Sequence, residues 1–187
     1  MNVLEKAIIF ATNAHKGQKR KMSSTPYILH PLEVASIIAT ISSDLELMAA
    51  GCLHDVVEDC GVDPLTIREE FGSRVYSLVL SETEDKRINR PQTETWFERK
   101  EESLMILANT TDIDVKILWL ADKLSNMRSF YREYLKIGDE LWLHLHEHDK
   151  KKQEWYYRSI LDNLAELKDS AAYQEYKELL DKVFGGK

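Results

Sequence analysis

Several things are scarce in this sequence, and each scarcity narrows the reading. Glycine and proline are few, seven and four in 187 residues, and they fall where one helical pattern stops and another begins. Alternating apolar and polar runs, the mark of half-buried strands, are nearly absent. No run of about eighteen apolar residues occurs, which excludes a membrane-spanning helix. The N-terminal stretch MNVLEKAIIFATNAHKG lacks a basic leader and a small-residue cleavage site, so it does not read as a signal peptide. There are two cysteines, Cys52 and Cys60. On one helix they sit about 12 Å apart along the axis, too far for a disulfide. Both read as reduced thiols in a cytoplasmic protein. Basic excess is missing too. The net charge is −7, which argues against a nucleic-acid partner tracked along its phosphates.

What remains is an ordinary soluble composition, 43% hydrophobic and 30% charged, in a chain long enough to bury a sizeable core as one domain over 1–187. Helical periodicity runs nearly throughout. The spacing predicts helices over Val3–Ala14 and from Pro31 through PLEVASIIATI, Pro31 being placed at a first helical position. Asp44 is set to N-cap a helix carrying LELMAAGCLHDVVED up to Gly61. Asp63-Pro64 opens a helix to Phe71, Gly72 closes it, and Arg74–Ser81 follows. Residues 81–94 read as a polar loop, with Thr95 and Glu98 as a capping box for the next helix. Asp112 or Asp114 starts a long helix through VKILWLADKLSNMRSFYREYL. Further helices are expected over 139–147, 150–168 and 171–184. The sum is an all-α bundle of about ten helices.

One short stretch concentrates the chemistry: CLHDVVEDC, residues 52–60. With His54 at zero on a continuous helix, Glu58 lies near about 40°, Asp55 near about 100° and Asp59 near about 140°. Leu53, Val56 and Val57 lie on the opposite side and face a core. The charged patch is either a solvated face or half of a metal site. Against the first, Glu58 and Asp59 fall in the last turn of that helix, where the macrodipole disfavours anions. A divalent cation would compensate them, and imidazole with carboxylate suits one. The missing ligands have two candidates. His30 precedes Pro31 and is biased toward an extended entrance to its helix. Asp122 interrupts the apolar run ILWLA, where a carboxylate is costly unless paired or metal-bound; Lys123 and Arg128 are its alternative partners.

The ordered set H…HD…D resembles the HD-domain phosphohydrolases. AHKGQKRK (14–21), PYILHPLEVA (26–35), AAGCLHDVVED (49–59), FGSRV (71–75) and LADKLSNMRSF (120–130) are similar to the hydrolase domain of the Rel/SpoT alarmone family. TEDK (83–86) and ERK (98–100) resemble its small stand-alone members of the metazoan SpoT-homolog kind. The resemblance spans most of residues 1–130. It implies the all-helical HD bundle, with Mn²⁺ held by His30, His54, Asp55 and Asp122. It also implies removal of the 3′-pyrophosphate from ppGpp or pppGpp, with Glu58 and Asp59 handling the attacking water. Arg20 and Lys21 would sit near guanine and phosphates, and Asn126 at the sugar and base.

The residues support that assignment on their own chemistry. A bound divalent ion lowers the pKa of its water and polarises a phosphoryl oxygen. Asn126 is four residues after Asp122, on the same face. An anionic nucleotide on an acidic protein requires a local cationic funnel. Arg20 is its strongest member, because a guanidinium forks onto phosphate or stacks on a base. Lys86, Arg99 and Lys100 are candidates for a second group, while Lys16 and Lys19 read as surface residues. Tyr27 is placed either at the base or in a structural role. His15 reads as a structural hydrogen-bonder, and HLHEHD (144–149) as mostly solvated. WYYRSILDNL (155–164) reads as packing, with Lys151, Tyr156 or Arg158 able to close over a nucleotide.

Two departures mark this chain: RKMSST stands before PYI, and SETEDK replaces the GVTK of the larger relatives. With no synthetase segment in these residues, the expectation is a hydrolase alone. Three functions follow: a (p)ppGpp 3′-pyrophosphohydrolase, an HD phosphohydrolase of another nucleotide such as NADPH at its 2′-phosphate, or a non-catalytic alarmone sensor, which the intact Glu58 and Asp59 oppose.

Overall fold

The computed structural model describes residues 1–20, 23–87 and 89–185. These form nine α-helices and two short 3₁₀ segments, with a lone bridge between Lys19 and Pro26 and no strand among the described residues. The helices are α1 (Val3–Ala14), α2 (Leu29–Ile38), α3 (Leu45–Leu53), α4 (Val56–Cys60), α5 (Pro64–Leu80), α6 (Gln92–Asn109), α7 (Ile113–Ile137), α8 (Lys150–Asn163) and α9 (Ala171–Phe184). None of the described helices is long and apolar enough to cross a membrane. Cys52 and Cys60 are free thiols.

Local chemistry starts most of these helices. Asp44, Asp63 and Asp112 each accept hydrogen bonds from first-turn amides, satisfying donors that have no partner inside the helix. Asn2 and Glu5 close a capping box on α1. The α5 helix bends at Gly72, whose φ of 88° is a conformation that costs glycine little. α3 is the centre of the bundle: Leu47 through Leu53 are all buried, and it packs on α1, α2 and α5. Gly51 makes the α2–α3 contact possible, since a Cβ there would stand 2.6 Å from Ile38 Cδ1. The 25-residue α7 crosses behind, buried from Val115 to Leu120 and again at Leu124, Met127 and Phe130, and is covered by α2 and α9.

Four local expectations are corrected. The helix drawn through CLHDVVED is two helices, α3 and α4, separated by His54 and Asp55. Glu58 and Asp59 therefore lie in the first turn of α4, where the macrodipole favours anions. α2 begins at Leu29, so His30 is helical rather than extended, and Pro31 still lies in the first turn, where no amide donor is needed. Thr95 does not cap α6. That helix starts at Gln92, and the Thr95 hydroxyl turns back toward the Pro91 carbonyl at 3.4 Å. The segment over 139–147 is a 3₁₀ turn, Gly138–His144, rather than an α-helix.

Candidate active site

The break between α3 and α4 delivers two adjacent side chains to the floor of one cavity of about 1140 Å³. The buried α3 fixes His54, whose Nδ1 lies 2.9 Å from the Gly51 carbonyl. A carbonyl only accepts, so Nδ1 carries the proton and Nε2 points inward. α2 supplies His30 and α7 supplies Asp122, both buried. His30 Nε2 is 3.0 Å from Asp122 Oδ1 and 3.5 Å from Asp55 Oδ2. His54 Nε2 is 3.0 Å from Asp55 Oδ2 and 3.5 Å from Asp122 Oδ1. Ligand atoms of His30, His54 and Asp122 all lie within 4.8 Å of one another.

This donor set fits a divalent metal. Two imidazole nitrogens and two carboxylate oxygens are the ligands of hard and borderline cations. His54 Nε2 is buried with no hydrogen-bond partner, an orphaned atom that a cation between the four groups would satisfy. Without one, the electrostatics are polarised. Burial opposes charge on His54, yet Asp55 and Asp122 hold its pKa well above the ordinary histidine value. Asp122 is held well below the usual carboxylate range; burial works against this, and the Lys123 ammonium beside it prevails.

Glu58 and Asp59 stand on α4, next to the ligand group. Burial and the Asp55 charge push Glu58 above the ordinary glutamate value, and its Oε2 accepts from the Glu84 amide at 3.1 Å. Lys86 contacts Asp59 Oδ1 directly and reaches Glu58 Oε1 at 3.4 Å. Tyr27 joins the two groups. Its hydroxyl lies 2.6 Å from Asp55 Oδ2 and 3.1 Å from Asp59 Oδ2, and its single proton belongs to the shorter contact. On the facing wall, Arg20 Nη2 donates to Asn126 Oδ1 at 3.0 Å, and Asn126 Nδ2 donates to Asp122 Oδ1 at 2.8 Å. The Arg20 guanidinium also covers the Tyr27 ring, 5.6 Å from its centroid.

The cavity thus gathers Arg20, Tyr27, His30, His54, Asp55, Glu58, Asp59, Lys86, Asp122 and Asn126; Lys21 lies outside the described residues. Arg99 and Lys100 reach it but are paired with Glu84. Tyr156 lines it from α8, whereas Arg158 points to Glu154 and Asp181. His15 is buried against Gln18 and Cys60, in a structural setting. Glu82 is not marked in the sequence; Lys123, read there only as an alternative partner of Asp122, does contact that carboxylate. Glu82 is buried with neither oxygen hydrogen-bonded, 3.2 Å from Lys123; burial, moderated by Lys123, raises its pKa to about 8. It sits in a stretch that reads as a polar loop, so no sequence signal marks it. His146, within the HLHEHD stretch, also lines the cavity.

The guanosine-3′,5′-bis(diphosphate) 3′-pyrophosphohydrolase of Vibrio cholerae is 40% identical over 130 residues, 69% of this chain and 18% of that protein. A GTP pyrophosphokinase of Streptomyces coelicolor is 36% identical over 185 residues, 97% of this chain and 19% of that protein. The chain thus spans under a fifth of the length of these two curated relatives. The solved structure of a metazoan ortholog of SpoT that hydrolyzes ppGpp shares the fold, with a TM-score of 0.75 at 24% identity, covering 97% of this chain and 96% of that one. The HD domain family matches residues 7–142. With that match running through α2, α3, α4 and α7, the helices that carry the histidine–aspartate floor, the chain belongs to the HD domain family.

Proposed function

We propose that this chain is a Mn²⁺-dependent (p)ppGpp 3′-pyrophosphohydrolase, acting as a single cytoplasmic domain over 1–187 and releasing pyrophosphate to leave GDP or GTP. The observation that carries the reading is the convergence of His30, His54, Asp55 and Asp122 beside the Glu58–Asp59 pair, in a cavity walled by Arg20, Lys86 and Asn126. The 40% identity to a named 3′-pyrophosphohydrolase supports the substrate class.

The metal, when bound, would supply Lewis acidity and a more acidic water. The chain's residues do the rest. Glu58, whose environment favours taking up a proton, receives one from the attacking water as its oxygen bonds to the 3′-phosphorus and the bond to the ribose 3′-oxygen breaks. Asp59, poised by Lys86, orients that water, and the released 3′-oxygen takes the proton back from Glu58. Arg20 and Lys86 flank the phosphates from two walls. Asn126 bridges from Asp122 to the nucleoside, with Tyr27 beside it.

The experiment is a nucleotide panel with Mn²⁺. ppGpp is expected to yield pyrophosphate and GDP. In Glu58→Gln, kcat is expected to fall about 10²–10⁴-fold with Mn²⁺ still bound. An undiminished rate in that variant removes the mechanism. If NADPH loses its 2′-phosphate while ppGpp is untouched, the substrate assignment moves to the other nucleotide class. Tight ppGpp binding without turnover makes the protein a sensor.

A further inference from the structure

The two histidines of the floor are oriented differently. His54 is held by a backbone carbonyl, which nothing short of refolding can change. His30 Nδ1 instead meets a side chain, the Ser125 hydroxyl, at 2.8 Å in a fully buried position on α7. Ser125 Oγ lies 2.6 Å from Glu33 Oε2. Glu33 in turn takes Arg128 Nη1 at 3.1 Å, and Arg128 forks onto both carboxylate oxygens of Glu175, Nε and Nη2 each at 2.6 Å. Glu175 is on α9, beyond the residues matched by the HD domain.

The direction of the chain is determined by proton count. Ser125 has one hydroxyl proton and two neighbours. Glu33, ion-paired with Arg128, only accepts, so the proton goes to it. Were it turned to His30, two oxygens 2.6 Å apart would face each other with lone pairs alone. Ser125 Oγ must therefore accept, and His30 Nδ1 must carry the hydrogen. That leaves the Nε2 lone pair aimed at Asp122 and Asp55. We infer that Ser125, Glu33 and Arg128 form a positioning relay, anchored by Glu175, that fixes the tautomer and ring orientation of His30 for metal ligation.

Histidine ligands are commonly fixed by a carboxylate or carbonyl on the second nitrogen. Here a serine is interposed, which lets a carboxylate on α2 and an arginine on α7 govern a ligand from one turn away. Residues outside the cavity floor, and one on α9, become determinants of metal affinity. Ser125, Glu33 and Arg128 lie on the faces that α2 and α7 turn toward each other, and the Arg128 fork is geometrically strict.

The inference rests on His30 being a ligand, and its test separates the two. Mn²⁺ affinity is measured by calorimetry on metal-free wild type, Ser125→Ala, Glu33→Ala and the double variant, each checked by circular dichroism for its helical fold. Ser125→Ala is expected to weaken Mn²⁺ about 10–100-fold. Glu33→Ala weakens it less, because Ser125 can still accept, though its proton is then free to turn. The double variant is no worse than Ser125→Ala alone, since members of one relay do not add. Additive losses would assign both effects to independent packing and overturn the relay, as would wild-type affinity in Ser125→Ala. Wild type that takes up no Mn²⁺ removes the metal reading, and the inference with it.

Discussion

Two parts of this molecule gather several carboxylates around a basic group, and they differ in what they leave unpaired. On the outer side of the bundle, Arg74 of α5 contacts Asp44 Oδ2 at 2.7 Å, Glu46 Oε2 at 2.9 Å and Asp114 Oδ2 at 2.6 Å. These side chains are 28–45% exposed. Asp44, Glu46 and Asp114 stand at the N-terminal ends of α3 and α7, where anions are favoured. Every charge in that cluster has an ordered partner and access to water. On the cavity floor, His30, His54 and Asp122 are 2–5% exposed. There His54 Nε2 and both Glu82 oxygens lack hydrogen bonds. A scaffold cluster satisfies its members. The cavity floor carries buried polarity that costs stability unless something else binds. The contrast separates the two clusters better than charge density does.

The largest effect comes from breaking the buried cluster. Asp122→Asn keeps the volume but removes a carboxylate shared by both histidines, Asn126 and Lys123. Loss of metal-assisted catalysis lowers kcat/KM on the order of 10³-fold. Stripping Lys123 of that partner also lowers stability by about 3 kcal/mol, although Glu82 remains 3.2 Å from it. Calorimetric Mn²⁺ titration and urea unfolding measure the two losses separately. A variant that keeps Mn²⁺ affinity and rate would place the metal elsewhere.

The two clusters were also unequally legible in the sequence. Asp44 and Asp63 start their helices by local rule as expected, and of the two candidates Asp112 and Asp114 it is Asp112 that caps α7. The boundaries of α1 and α9 likewise follow from periodicity alone. The break at His54–Asp55 did not. Both residues keep right-handed helical backbone angles, −56°/−35° and −96°/−6°, so neither proline nor glycine announces it. The angular arithmetic still grouped side chains that line one cavity, since two near-helical residues preserve most of the rotation. The Thr95–Glu98 pattern misled because Pro91, four residues earlier, had already started α6. Glu82 and the Ser125–Glu33 pair were illegible for a deeper reason. Burial of a loop carboxylate, or contact between α2 and α7 across 92 positions, is set by tertiary packing and leaves no local trace.

Breaking the exposed cluster should produce the opposite profile. Arg74→Met removes the shared cation while keeping a stem to cover apolar surface. Each pair is about a third exposed, so the total loss, after solvent screening, is about 1 kcal/mol. Mn²⁺ affinity and kcat/KM stay within about twofold of wild type, because Glu46 and Asp114 stand eight residues, about 12 Å along their helices, from His54 and Asp122, and exposed charges at that separation are largely screened. Urea unfolding beside an assay at saturating Mn²⁺ checks both halves. A rate loss comparable to that of Asp122→Asn would erase the distinction between the clusters.

The smallest effect sharpens the comparison through pH. The Arg74 hydrogen bond lowers the pKa of Asp44 most, burial opposes it, and the Leu47 and Glu46 amides add to the lowering. A depressed carboxylate contributes stability that is full above its unfolded value, about 3.9, and is lost as pH falls through the lower folded value. The stability gap between wild type and Arg74→Met should therefore be flat from pH 7 to pH 5 and narrow below about pH 4. It should not vanish at once, because Arg74 holds the Asp44 carboxyl below its unfolded value, so in wild type the pair is still partly ionised below about pH 4. Urea unfolding of both proteins at pH 7, 5 and 3.5 reads the gap directly. A gap that is unchanged at pH 3.5 would mean that Arg74 acts through its aliphatic stem rather than through the carboxylates around it.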